Sequence, residues 1–180
     1  IEQLRQDGFE IAASTRRGYR LTFAPDTLSA ARIAARLEGH PWSAQLHVMD
    51  SVDSTNNYLK ALAAQGAPDG TSAIADRQTA GRGRRGRNFY SPRNKGIYMS
   101  LILQPQLRIE ESLLITSAAA VAVCRALEGE LGGELGIKWV NDIYRGGKKV
   151  CGILTEAITD FELGVVQSVV IGIGINLRPQ

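Results

Sequence analysis

Histidine and cysteine are scarce: two of each among 180 residues. Neither Cys124 nor Cys151 belongs to a C-x-x-C pair, and the only histidines are His40 and His47, so no zinc site of the usual nitrogen and sulfur type is expected and no metal ligand is identified. Both cysteines lie in apolar runs, where a free thiol packs as a small hydrophobe. That usage fits a reducing compartment. No signal peptide and no apolar run of membrane length occurs, so a cytoplasmic protein without a membrane partner is expected. There is no internal repeat and no G-x-x-x-x-G-K-[ST] phosphate loop. No Ser/His/Asp or Cys/His set stands out, nor a pair of carboxylates, so the chain offers anion-binding groups but no evident nucleophile.

The composition is that of a globular protein, 44% hydrophobic and 22% charged, and the length suits one ordinary domain plus an appendage. Net charge is +3 and the pI about 9.0. The basicity is local. Residues 77–95 carry seven of the 21 Lys and Arg and no acid, and Gly81, Gly83 and Gly86 fall within six positions of one another. Glycine at that density discourages helix and strand, and seven uncompensated cations repel one another. The stretch is either a solvated disordered tract or a loop that orders around an anion. GRGRRG matches G-x-G-x-x-G in letters only, since no helix pattern follows before Phe89-Tyr90. A nucleic-acid patch is the other open reading.

Along the chain, residues 1–6 read as a helix stopped by Asp7-Gly8. Residues 9–13 and 19–23 then read as a hairpin with Arg16 and Arg17 at its tip. A linker helix starts at Pro25-Asp26-Thr27, with Thr27 as cap and Ala30, Ile33, Ala34 and Leu37 as its stripe; Gly39 ends it. Residues 45–49 form a short strand. A helix follows from Asp53-Ser54-Thr55 to Gly66, buried through Leu59, Leu62 and Ala63. Strands are expected at 71–76 and 96–103 and a long core helix at 110–127, with Leu113 and Leu114 on its apolar face. Strand 136–140, the turn signal at 145–148, strand 150–157, a turn at Asp160-Phe161 and a long strand to Asn176 complete the pattern. Successive hairpins imply an α+β fold: a mixed, largely antiparallel sheet with helices packed on one side. The division expected is 1–24, 25–44 as linker helix, and 45–180 as main domain. The chain opens on Ile1 and closes on Gln180, and a longer protein is expected around both ends.

Three features carry chemistry besides the loop. Hydroxyls and an amide at 54–56 cap a helix or meet a polar ligand group, and a helix N-terminus favours an anion. Lys138, beside Trp139 in an apolar strand, either meets an anion or keeps its ammonium in water at a strand edge. The alternating glycines of GIGIN, 172–176, admit either a ligand or the alanine-rich helix at close approach.

DSTN at 53–56, QTAGRGRRGR at 78–87, KWVND at 138–142, CGIL at 151–154 and GIGIN at 172–176 together resemble a biotin–protein ligase, in motif order over residues 45–180. The fold implied is the class II synthetase-like catalytic domain of that family. The first 24 residues resemble the end of a recognition helix and the wing of a winged helix-turn-helix, as in bifunctional ligases that repress biotin synthesis. The resemblance implies activation of biotin with ATP, accompanied by Mg2+, to biotinyl-5′-AMP, and transfer to a lysine of a biotin carboxyl carrier protein. It further implies operator DNA as a partner, met through Arg16 and Arg17, and allows a homodimer. Ser54, Thr55 and Asn56 are implied at the biotin ureido head. Gln78, Gly81, Gly152 and Asn176 join the biotin and adenylate site, and Arg82, Gly83 and Arg84 wrap the carboxylate and phosphate. Lys138 meets both anions, and Phe89 packs on adenine. Arg82, Arg84 and Lys138 are the catalytic set. The loop is expected to be loose when free and closed over the adenylate, shielding a reactive anhydride from water. Val140 replaces the family's usual proline, and Phe89 replaces a common tryptophan. The family's small C-terminal β-barrel and the first helices of the DNA-binding module have no counterpart in these 180 residues. A lipoate–protein ligase, and a DNA-binding regulator without ligase activity, are the alternative readings.

Overall fold

The computed structural model describes every residue except 7, 15, 16, 26, 27, 106, 109, 110, 161–164, 179 and 180. Helix α1 (Glu2–Gln6) leads into the hairpin of β1 (Glu10–Ser14) and β2 (Gly18–Phe23), paired antiparallel as a sheet of their own. Gly8, with φ +87°, makes the turn after α1 that residues with a Cβ resist. Arg17 is exposed beside the hairpin tip; Arg16 lies outside the described residues, as does Asp7. Helix α2 (Ala30–Arg36) is capped by Ser29, whose hydroxyl accepts from the Arg32 N–H at 3.3 Å. Thr27, the expected cap, lies outside the described residues. Beyond α2 the chain docks through Trp42, whose indole occupies the space a Cβ on Gly70 would need.

The main sheet holds β3 (Leu46–Met49), β4 (Ser72–Ala75), β5 (Gly96–Leu103), β6 (Leu107–Arg108), β7 (Gly136–Lys138), β8 (Asp142–Arg145), β9 (Lys148–Asp160) and β10 (Val165–Asn176). Helix α3 (Thr55–Ala64) connects β3 to β4, and α4 (Ser112–Leu131) connects β6 to β7. The strand order is β3-β4-β5-β10-β9-β8-β7, with β6 beside β10. Among the described strands β3 and β4 are the one parallel pair, because a helix separates them, whereas short turns join β7, β8 and β9. Gly146 (φ +54°) and Gly147 (φ +75°) form the two-residue turn between β8 and β9, where both central residues need positive φ. The mixed, mainly antiparallel sheet is the one expected.

Three details depart from the sequence reading. The long helix runs on to Leu131, and the strand around Lys138 stops there, ahead of a turn at Trp139 and Val140. The helices divide between both faces of the sheet instead of sharing one. On β10, Val170 joins Leu59, Ala73 and Ile102 under α3, while its neighbours Val169 and Ile171 join Val123, Cys124 and Leu127 of α4. Successive strand residues point to opposite faces, so the two helices must lie on opposite sides. The side chain of Leu113 and the turn residue Phe161 lie outside the described residues. Cys124 and Cys151 are free and buried, in the cluster under α4.

Candidate active site

The face that α3 only partly covers carries the candidate site. Thr55 and Asn56 open α3, and Ser54 caps it with extended backbone but no side-chain bond. Gln78, from the base of the arginine loop, does the capping: its Oε1 accepts from the Thr55 N–H at 2.9 Å and from the Thr55 hydroxyl at 3.1 Å. Its Nε2 donates to Ser91 Oγ at 2.9 Å, so one side chain fastens the helix start to both ends of the loop. Ser100 of β5 stands 2.7 Å from Thr55 Oγ1 and 2.6 Å from Asn56 Oδ1. Asn56 Nδ2 in turn donates to Glu156 Oε2 at 2.9 Å. A Cβ on Gly172 would strike the Asn56 amide, and one on Gly174 would strike the Phe89 ring. The strand glycines therefore make room for α3 and for the loop's aromatic residue, not for the alanine-rich helix.

The loop itself folds as a small hairpin. Gly83 N–H donates to Arg87 O at 2.7 Å and Phe89 N–H to Gly81 O at 2.8 Å, with Arg85 in the left-handed region (φ 57°, ψ 38°). Two of its arginines are gripped from below. Arg82 NH1 lies 3.0 Å from Glu156 Oε1 and donates to Asn57 Oδ1 at 3.0 Å, while Lys60 Nζ reaches the same Glu156 oxygen at 2.9 Å. Burial opposes the charge on Glu156. Hydrogen bonds from Asn56 and Lys60, and the positive charges of Lys60 and Arg82, outweigh it and hold the carboxyl below its usual range. Arg84 NH1 donates to Asn141 Oδ1 at 2.7 Å. Asn141 Nδ2 and Lys149 Nζ both donate to Asp142 Oδ1 at 2.8 Å.

Two cavities result. An inner one is lined by Ser54, Thr55, Asn56 and Gln78 on the α3 side and by Arg82, Gly83 and Arg84 on the loop side. Gly152, Phe89 and Lys149 also reach it, and among the described residues no Cys, His, Asp or Glu lines it. An outer basin shares Gly83, Arg84, Phe89, Asn141 and Lys149 with it and has Arg85, Arg87, Lys138 and the exposed Trp139 on its walls.

The structure thus gathers most of the sequence-derived set and leaves three residues elsewhere. Lys138 lines only the outer basin; it is exposed on β7, its Nζ 5.7 Å from the Tyr144 ring centroid. That is the water-facing strand edge of the two readings. Gly81 is buried and borders a third cavity behind the loop. Asn176 borders neither inner nor outer cavity and donates to Lys149 O at 3.3 Å. Phe89 rests over Gly152 and Gly174, its ring centroid 6.4 Å from that of Tyr98. Sequence reasoning missed Glu156, Lys60, Ser100 and Lys149. Glu156 did leave a signal, as a lone carboxylate in the apolar run VCGILTEA, where burial demands a partner. Among the described residues no group of three or more His, Cys, Asp or Glu gathers as a metal site, and no helix is long and apolar enough to cross a membrane.

Comparisons with known proteins converge. The sequence model of the biotin/lipoate A/B protein ligase family matches residues 48–176. Over all 180 residues the chain is 43% identical to the bifunctional ligase/repressor BirA of Bacillus subtilis, covering 55% of that protein. To the protein of the same name from Escherichia coli it is 30% identical over 177 residues, or 98% of this chain and 53% of that one. Among solved structures, biotin protein ligase from Aquifex aeolicus in complex with biotin and ATP superposes with a TM-score of 0.60 at 34% identity, over 76% of this chain and 53% of that one. Biotin protein ligase from Leishmania major in complex with biotin gives 0.62 at 28% identity, over 76% and 58%. The chain spans about half the length of the curated relatives it matches.

Proposed function

Since the chain belongs to the biotin/lipoate A/B protein ligase family, we propose that the inner cavity binds biotin, that the outer basin takes the phosphates of ATP, and that biotinyl-5′-AMP forms where they meet. The biotinyl group then passes to a lysine of a biotin carboxyl carrier protein. One observation carries this reading: a pocket whose described lining holds no carboxylate, Cys or His shares Arg84 and Lys149 with a basin walled mainly by cations. Two anionic reactants must approach to about 3 Å, and fixed positive charge offsets their repulsion with no covalent step by the protein. Ser54, Thr55 and Asn56 offer hydrogen-bonding groups for a polar ring head, and Arg84 stands at the mouth for the carboxylate and phosphate. Lys138 reaches the phosphate side from the basin wall, and Phe89 supplies an aromatic face for adenine. Magnesium would accompany ATP, bound to its phosphate oxygens as MgATP substrate.

Biotin-dependent ATP–pyrophosphate exchange by the full-length protein tests the proposal. Exchange is expected with biotin and none with lipoate; exchange with lipoate, or with neither, overturns it. The second activity we propose is repression of transcription through the N-terminal hairpin, in line with the ligase/repressor names of the relatives. Exposed Arg17 is its phosphate contact. Duplex binding by the full-length protein should weaken steeply with salt, and Arg17→Ala should flatten the slope by about one unit.

A further inference from the structure

The glycine–arginine loop and the motif around Lys138 supply the expected cations, but the two cavities meet at a different lysine. Lys149, at the start of β9, lines both the inner cavity and the outer basin; among the cationic side chains only Arg84 shares that position. Lys138 touches the basin alone. Two further features aim Lys149 at the junction. Its Nζ is held 2.8 Å from Asp142 Oδ1, the oxygen that also accepts from Asn141, and Asn141 in turn receives Arg84 at 2.7 Å. Gly152 clears its path: a Cβ there would lie 3.1 Å from both Cε and Nζ of Lys149.

We propose that Lys149 is a second catalytic lysine, whose ammonium meets the α-phosphate oxygens as biotin is adenylated. The inference rests on the ligase reading above. In that reaction one carboxylate oxygen bonds to the α-phosphorus. The bond from that phosphorus to the oxygen bridging the β-phosphate breaks, and its electron pair leaves with pyrophosphate. No proton moves, so the step calls for a fixed cation, not a base. Charge accumulates on the α-phosphate oxygens at the boundary between the carboxylate's pocket and the phosphates' basin. Lys149 and Arg84 flank that boundary, and the Asn141-Asp142 pair orients both.

The test compares Lys149→Met, Lys149→Arg and Asp142→Asn in the full-length protein, by exchange kinetics and by biotin affinity. Lys149→Met should lower the kcat for exchange by about 10²- to 10³-fold, while biotin Kd stays within about threefold. Asp142→Asn should cost less than about tenfold, because the ammonium remains. Lys149→Met within about threefold of the parent, or equal losses in Lys149→Met and Asp142→Asn, overturns the proposal. Should Lys149→Met fail to bind biotin, Lys149→Arg decides: exchange above about a tenth of the parent supports a cation role, and exchange below it with biotin binding intact overturns it. A parent without exchange overturns the ligase reading itself, so the two failures are distinct.

Discussion

Arg82 and Arg84 stand two residues apart on one loop, yet the protein grips them by different means. Arg82 is held by the carboxylate of Glu156, which also takes Asn56 and Lys60, and donates to Asn57 Oδ1. Arg84 is held by the neutral amide of Asn141. Glu156 at 3.0 Å ties Arg82 to a half-buried cluster that it shares with Lys60, whereas the Asn141 amide orients Arg84 towards the cavity mouth without adding a counter-charge of its own. The same residue type thus serves two ends. Arg82 is tied to the body of the domain, and Arg84 lines both cavities.

The largest expected effect lies on the Arg84 side. Arg84→Gly should speed loss of biotinyl-adenylate by about 100-fold, as removal of one charge-stabilising donor does. The released adenylate should then label nearby lysines without selectivity. Arg82→Gly should mainly weaken biotin binding. Retention of radiolabelled adenylate on a spin column measures both, and equal release from the two variants would erase the distinction. Gly172→Ala attacks the Arg82 grip from beneath, since its Cβ displaces the Asn56 amide that bonds to Glu156. It should cost about 1–3 kcal/mol in urea unfolding, against little for Gly136→Ala, where a Cβ meets nothing within 4 Å. Glu156→Gln leaves Arg82 and Lys60 facing each other without a counter-charge. A loss of about 1–2 kcal/mol and roughly tenfold weaker biotin binding by calorimetry are expected. A Glu156→Gln protein as tight and as stable as the parent would mean that Arg82 needs no anchor.

The smallest effect is in pH. The Glu156 carboxyl titrates lower in the folded protein than its ordinary value of 4.5. Its stabilising contribution is therefore complete above that pH and lost as pH falls through the lower, folded value. The stability gap between parent and Glu156→Gln should be constant near neutrality and close in acid below pH 4.5. A gap that widens in acid would reverse the sign of the argument.

Much of this was legible in the chain. The glycine pair at the β8–β9 turn, the apolar periodicity of α3 and the hairpin order depend on local backbone preference and alternation, and a sequence displays both; the stripe expected on α4 is displaced, since Leu114 is exposed and Ile115, Ala120 and Val123 face the sheet beside Cys124 and Leu127. The loop is legible as a charge excess, and Arg82, Arg84 and Gln78, which the resemblance implies, line the inner cavity of the candidate site. The grip on the loop was not legible. Glu156 is 74 residues from Arg82 and 100 from Asn56. Lys149 falls between the turn signal at 145–148 and the strand expected at 150–157, and nothing in the sequence singles it out.

What brought these residues together is sheet register. Antiparallel pairing sets Gly172 opposite Ser100 on one side and Leu154 on the other. The alternation of β9 then turns Gly152 and Glu156 to the face on which α3 and the loop rest. A shift of one residue in either pairing would point Glu156 into the apolar cluster beneath α4 and leave Arg82 without its anion. Local propensity chose the strands, the helices and the loop. Which charge meets which, and that Lys149 and not Lys138 stands at the junction, was decided by long-range pairing that no stretch of sequence contains.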